Sequence, residues 1–74
     1  MWTQSYQEEL TSPEEAISIG YADGKGLREN GAQAKDLEFN IEVYRGNYPR
    51  SPFYESWLKG FRAGFLGEQK PLAA

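Results

Sequence analysis

Residues 56–64, SWLKGFRAG, repeat a pattern of small and aromatic residues that the chain first shows at residues 16–24, AISIGYADG. Both stretches carry small residues at intervals of four, and an aromatic residue follows the first glycine of each. Every matched position is displaced by forty residues. Two stretches with one pattern predict two elements with one structural role. The residues that we assign to this role are Ala16, Gly20, Tyr21, Gly24, Ser56, Trp57, Gly60, Phe61 and Gly64.

A Ser-Pro pair precedes each copy and predicts where a helix begins. In the first copy Ser12 suits the capping position, Pro13 suits the first helical position, and Glu15 completes a capping box. The Asn-Gly pair at 30–31 is typical of a helix end. These signals predict a first helix over residues 13–29.

The second helix is predicted to open at Ser51-Pro52 and to end at Gly67. Its apolar positions share one broad face, and its charged positions lie opposite. The first set comprises Phe53, Trp57, Gly60, Phe61, Gly64 and Phe65, and the second comprises Glu55, Lys59 and Arg62.

The glycines of the repeat are costly inside helices. Each costs about 1 kcal/mol relative to alanine, so Gly20, Gly24, Gly60 and Gly64 together cost roughly 4 kcal/mol. Small residues four apart let another backbone approach closely, and such a contact would offset the cost. We therefore predict that the two helices pack against each other through these glycines. The alternative is that the glycines at 24 and 26 end the first helix early.

Residues 37–44, LEFNIEVY, alternate strictly between apolar and polar side chains. Such alternation favours an extended strand, whose partner would be the N-terminal arm or a second copy of the chain. A homodimer paired through 37–44 is therefore expected. The rival is a short helix over 32–44, with Ala32, Ala34, Leu37 and Ile41 on its apolar side.

These features predict a mainly α fold, in which two antiparallel helices are joined by a loop or a short strand. We expect residues 1–10 to form an acidic N-terminal arm, residues 11–67 to form the single helical-hairpin domain, and residues 68–74 to form a loose C-terminal tail.

The composition of the 74-residue chain excludes several classes of function. It contains no cysteine and no histidine, so thiolate or imidazole metal ligands and histidine-based catalysis are absent. Its carboxylates fall in solvated runs, and neither a calcium-loop nor a phosphate-loop spacing is present. We predict a non-enzymatic protein without metal or cofactor. Because no apolar run could span a membrane and the start lacks signal-peptide features, we expect a cytoplasmic protein with no membrane contact.

Arginines and lysines interleaved with aromatic residues mark a candidate binding surface. This combination suits base stacking and phosphate pairing in RNA, and it equally suits a protein interface. The candidate residues are Tyr44, Arg45, Tyr48, Arg50, Tyr54, Lys59 and Arg62. For their neighbours Phe53, Trp57 and Phe61, packing in the core is the favoured interpretation.

The chain resembles the ribosome modulation factor family across about residues 14–66. The similarity rests on Gly20-Tyr21-x-x-Gly24, on Asn47-Tyr48-Pro49, and on Trp57-Leu58-Lys59-Gly60-Phe61. That resemblance implies a small helical protein that acts on ribosomes and regulates translation. The chain departs from the family in its net charge of −3, where the best-known member is strongly basic, and in its longer segment between the helices.

Two functions are therefore expected. The first is a ribosome-associated modulator of the ribosome modulation factor type, which docks on ribosomal RNA through residues 44–62. The second is a phage- or plasmid-type inhibitor that binds a host protein through its acidic arm and aromatic faces, one version of which is an acidic mimic of nucleic acid.

Overall fold

A computed structural model describes residues 10–46 and 51–72, and of Arg45 it describes the backbone only. Three α-helices make up this part of the chain: α1 spans Pro13–Glu29, α2 spans Leu37–Arg45, and α3 spans Tyr54–Leu66. A short 3₁₀ helix, Ala34–Asp36, leads into α2. No strand occurs among the described residues. The mainly helical class is as the sequence predicts.

Helix α1 has the predicted bounds. The Ser12 hydroxyl accepts a hydrogen bond from the Glu15 backbone N–H at 3.1 Å, as an N-cap should. The helix ends at Asn30, and Gly31 follows with a φ of 110°, a conformation that side-chain-bearing residues rarely adopt. The glycines at 24 and 26 do not interrupt the helix.

Helix α2 corrects the expectation of an extended segment over 37–44 and agrees with the rival prediction of a short helix over 32–44. Wound as a helix, Leu37, Ile41 and Tyr44 fall at positions i, i+4 and i+7, and all three pack against the core. The intervening apolar residues, Phe39 and Val43, point outward instead. The strict alternation therefore came from a helix with apolar side chains on both faces. The predicted homodimer requires residues 37–44 to pair as strands, so the helix removes the argument for it.

Helix α3 begins two residues later than the Ser51-Pro52 pair predicts. The Ser51 hydroxyl accepts a hydrogen bond from the Phe53 backbone N–H at 3.0 Å, and regular helix starts at Tyr54. The end is at Gly67, whose φ of 76° is left-handed, and the next N–H, of Glu68, closes the terminus on the Ala63 carbonyl at 2.8 Å.

Helices α1 and α3 are packed together and run in the same direction, which corrects the predicted antiparallel hairpin. Gly60 lies against Ile17, and four residues further along, Gly64 lies against Tyr21. Contacts that advance together along both helices require parallel axes. The direction follows from α2, which returns the chain so that α3 starts beside the start of α1.

The contact between α1 and α3 is made by backbone on backbone. A Cβ built on Gly60 would lie 2.9 Å from the Ile17 Cα and closer still to the Ile17 carbonyl oxygen. A Cβ built on any of the other three glycines would also meet a backbone carbonyl of the opposite helix. In the repeat, Gly20 corresponds to Gly60 and Gly24 to Gly64. Each glycine contacts the residue that lies three positions before its counterpart. The four pairs are Gly20 with Trp57, Gly24 with Phe61, Gly60 with Ile17, and Gly64 with Tyr21.

This reciprocity is that of a local two-fold axis running between parallel helices. It gives the forty-residue repeat a physical meaning, since each copy of the pattern supplies the same half of one contact. The close approach brings Cα–H groups against carbonyl oxygens along both helices, a weak but recurrent stabilising geometry at helix contacts.

Candidate functional site

A column of stacked rings fills the space beside the α1–α3 contact. Trp57, Phe61 and Phe65 are fully buried. The rings of Trp57 and Phe61 lie 4.8 Å apart between centroids, and those of Phe61 and Phe65 lie 5.7 Å apart. Offset ring pairs at these distances add to the stability gained by burial alone. The favoured interpretation of Trp57 and Phe61 as core residues agrees with this burial.

Two of the predicted binding residues, Tyr44 and Tyr54, belong to this column. The Tyr44 ring lies 5.6 Å from Phe61 and 6.1 Å from Trp57, and the Tyr54 ring lies 5.5 Å from Trp57. Both tyrosines are half-buried. Their rings extend the core outward, and α2 is fastened to α3 partly through Tyr44.

The buried indole of Trp57 has a polar partner that sequence reasoning missed. Its Nε1–H donates to the Asp23 carboxylate at 3.2 Å. Asp23 stands on α1 between Gly20 and Gly24, and it is half-buried. Buried indole N–H groups need acceptors. A carboxylate on the helix that packs against a buried tryptophan is therefore the feature that predicts this hydrogen bond.

The predicted cationic residues are only partly brought together. Lys59 and Arg62 lie exposed on the outer side of α3. Arg62 forms an ion pair with Glu38 of α2 at 3.5 Å, with both side chains well solvated. Tyr48 and Arg50 lie outside the described residues, as does the side chain of Arg45. The predicted acidic arm also lies outside them, apart from Leu10, which is buried in the core.

The far ends of α1 and α3 are tied by side-chain contacts with backbone. Arg28 donates to the Phe65 carbonyl at 2.6 Å and places its guanidinium 5.5 Å from the centre of the Phe65 ring. A cation at this position stabilises the negative end of the α3 dipole. Beyond α3, the Glu68 backbone carbonyl accepts a hydrogen bond from the Tyr21 hydroxyl at 2.7 Å, and the Lys70 ammonium donates to the Ser18 hydroxyl at 3.2 Å, so residues 68–70 lie against α1.

The outward side of α2 carries two exposed apolar side chains. Phe39 is 71% exposed and Val43 is 56% exposed, although α2 has only nine residues. They stand four apart and therefore lie one above the other on the helix. Glu38 and Glu42, both exposed, form the acidic edge beside them. We call Phe39 and Val43 the outer face of α2. The strand prediction does not separate these two residues from Leu37 and Ile41.

Neither a metal-binding cluster nor a membrane-spanning helix occurs in the described ranges. Within 10–46 and 51–72, no three acidic side chains gather in a way that would hold a metal ion. In the same ranges, no helix combines the length and apolar character that crossing a bilayer requires. No protein-family model, curated protein or solved structure matches the chain.

Proposed function

We propose that the chain is a small non-enzymatic binding protein that docks onto another protein through the outer face of α2. The observation that carries this proposal is the exposure of Phe39 and Val43 on a helix whose opposite face is seated on the core. Apolar side chains at i and i+4 are the anchors by which amphipathic helices engage protein partners. Contiguous exposed apolar residues framed by charge are typical of interaction sites.

The roles of the tyrosines favour a protein partner over RNA. Base stacking needs an aromatic ring with an open face, whereas Tyr44 and Tyr54 each stack one face on Trp57 and are half-buried. The net charge of −3 also weakens attraction to phosphate, because affinity for nucleic acid rises with the number of cations presented. The exposed Phe39 is flanked by Val43, Glu38 and Glu42, none of which can pair with a phosphate group.

A ribosome-associated modulator is the second candidate function. Lys59 and Arg62, three residues apart on the exposed side of α3, are the observation in its favour, together with the resemblance to the ribosome modulation factor family. The motif residues that carry the resemblance, such as Gly20 and Gly60, make the contact between helices. The resemblance therefore favours a similar packing of two helices over a similar RNA-binding surface.

A pull-down from bacterial lysate, with and without nuclease, separates the two candidates. The double variant Phe39→Ser/Val43→Ser removes the outer face of α2. Leu72→Ser is its control, because Leu72 is also exposed and follows residues 68–70, which lie against α1. We expect nuclease-resistant capture of a protein by the wild-type chain and the control, and loss of that capture in the α2 variant.

Two results would contradict the leading proposal. One is capture that the α2 variant retains in full. The other is capture that disappears with nuclease and in Arg45→Ala/Arg50→Ala, which would establish the ribosomal RNA alternative.

A further inference from the structure

The pair of helices α1 and α3 has a second side, opposite the aromatic column. The local two-fold axis exchanges Trp57 with Ile17 and Asp23 with Ala63, because these are matched positions of the repeat. Trp57 and Asp23 meet on the side of the column, where the indole donates to the carboxylate. Ile17 and Ala63 therefore lie together on the other side. Helix α2 packs on the column, so this second side lies away from α2.

The buried side chains on the second side do not belong to the main core. Ile17 is 3% exposed and Ala63 is 5% exposed, and neither is part of the core cluster around the aromatic column. Residues 68–72 follow α3 and run along this side, because they contact Ser18 and Tyr21 of α1. We call residues 68–72 the strap. Among the described residues, the strap is the segment positioned to cover Ile17 and Ala63.

The strap is attached to α1 by two hydrogen bonds, and both are exposed to solvent. One joins the Tyr21 hydroxyl to the Glu68 backbone carbonyl at 2.7 Å, and the other joins the Lys70 ammonium to the Ser18 hydroxyl at 3.2 Å. All strap residues except Pro71 are exposed, so the strap buries little apolar surface of its own. Segments with few apolar contacts and solvated hydrogen bonds are the ones that open locally at low free energy.

Gly67 provides the point at which the strap turns away from α3. Its φ of 76° is left-handed, and glycine moves between this region and the others without a steric penalty. Rotation there breaks the capping hydrogen bond from the Glu68 N–H to the Ala63 carbonyl. The hydrogen bonds within α3, which ends at Leu66, stay intact.

We propose that the strap is a detachable cover, which pivots at Gly67 and uncovers Ile17 and Ala63 while the three helices stay packed. The side of the helix pair that it covers then has a closed and an open state, and binding of residues 68–72 by another molecule shifts the population to the open state. The proposal is independent of the outer face of α2, which lies on the other side of the helix pair.

Labelling of an introduced thiol in the folded chain measures the opening, because the chain contains no cysteine of its own. Ala63→Cys places a thiol beneath the strap, whereas Ala16→Cys places one in the fully buried core beside the column. We expect a thiol reagent to label position 63 at least about tenfold faster than position 16. The rate at position 63 should depend weakly on denaturant, because opening of the strap exposes little surface. Labelling at position 16 requires global unfolding and should depend on it steeply.

Loss of the two attachments should favour the open state. Tyr21→Phe/Lys70→Met deletes both hydrogen bonds and keeps most of each side chain. Lys35→Met is the control, because Lys35 is an exposed lysine on the 3₁₀ helix. The double variant should label position 63 about tenfold faster and leave the rate at position 16 unchanged. The control should change neither rate.

Hydrogen exchange gives a second measurement that needs no cysteine. In Tyr21→Phe/Lys70→Met, the Glu68 N–H should exchange about tenfold faster than in the unsubstituted chain, while N–H groups in the middle of α3 keep their rates. Equal labelling rates at positions 63 and 16 would overturn the detachable strap. An unchanged rate of Glu68 exchange in the double variant would overturn it as well.

Discussion

Replacing Gly60 with alanine tests the helix contact on which the whole structure is built. The new Cβ would lie 2.9 Å from the Ile17 Cα and nearer to the Ile17 carbonyl oxygen. Unstrained carbon contacts are about 3.5–4.0 Å, so α1 and α3 must separate by roughly 1 Å. Neither atom can rotate away, since both belong to the backbone of a regular helix.

The magnitude follows from two opposing terms. Overpacking of this kind costs typically 1–3 kcal/mol, and a rigid backbone neighbour puts the cost at the upper end, about 2–3 kcal/mol. Alanine returns about 1 kcal/mol because it is the better helix former. The net loss is about 1–2 kcal/mol, which for a chain of this size lowers the melting temperature by about 5–15 °C.

Gly26→Ala provides the matched control. Gly26 lies in the same pair of helices, and a Cβ built on it meets nothing within 4 Å. Only the propensity term applies, so this variant should gain up to about 1 kcal/mol and melt at a higher temperature. Both melts can be followed by circular dichroism at 222 nm, a wavelength that reports helix. Wild-type or higher stability in Gly60→Ala would refute the close backbone contact.

Three further predictions follow from described side-chain contacts and surfaces. Asp23→Ala removes the carboxylate that accepts the hydrogen bond of the buried Trp57 indole and should cost about 1–3 kcal/mol in denaturant unfolding, with a change in tryptophan fluorescence; no change would contradict a role for that hydrogen bond. Arg28→Met keeps much of the side-chain length but loses the hydrogen bond to the Phe65 carbonyl, and should lower the free energy of unfolding by about 1–2 kcal/mol. An unchanged melting temperature would contradict a stabilising role for this hydrogen bond. Replacing the outer face of α2 with two serines should change the free energy of unfolding by no more than about 0.5 kcal/mol, because both side chains are exposed, whereas a large loss would show that they belong to the core.

The sequence predicts helix α1 well because its signals are local. The capping serine, the first-turn proline and the terminal Asn-Gly pair act within a few residues of the helix ends, so no tertiary information is needed. The repeat also points to a contact between two helices. It does not give their relative direction, because a small-residue stripe permits either orientation. The direction is fixed by how the intervening segment folds.

That intervening segment is where sequence reasoning fails. Alternation over 37–44 favours a strand, since apolar side chains on every second residue normally mark one buried face. In α2 the apolar residues divide between a core side, with Leu37 and Ile41, and an outward side, with Phe39 and Val43. The two outward residues that carry the proposed function are the ones that distort the helical pattern. Apolar side chains that face solvent break the rule on which the strand prediction rests.

The candidate site could be anticipated only in part for a related reason. Composition correctly draws attention to aromatic residues, but it cannot tell a ring that stacks in the core from one that faces solvent. Tyr44 and Tyr54 were assigned to binding, and their rings lie in the column beside Trp57. The hydrogen bond from Trp57 to Asp23 depends on packing between residues 34 positions apart, which local patterns do not encode.

Photo-crosslinking from within α2 tests the central claim most directly. A benzophenone-bearing phenylalanine analogue at position 39 samples the outer face of α2, and the same residue at position 22 samples an exposed position on α1. Irradiation in nuclease-treated lysate should join the chain to a protein from position 39 and give no such product from position 22. Products of equal yield from both positions, or none from position 39, would contradict docking through the outer face of α2.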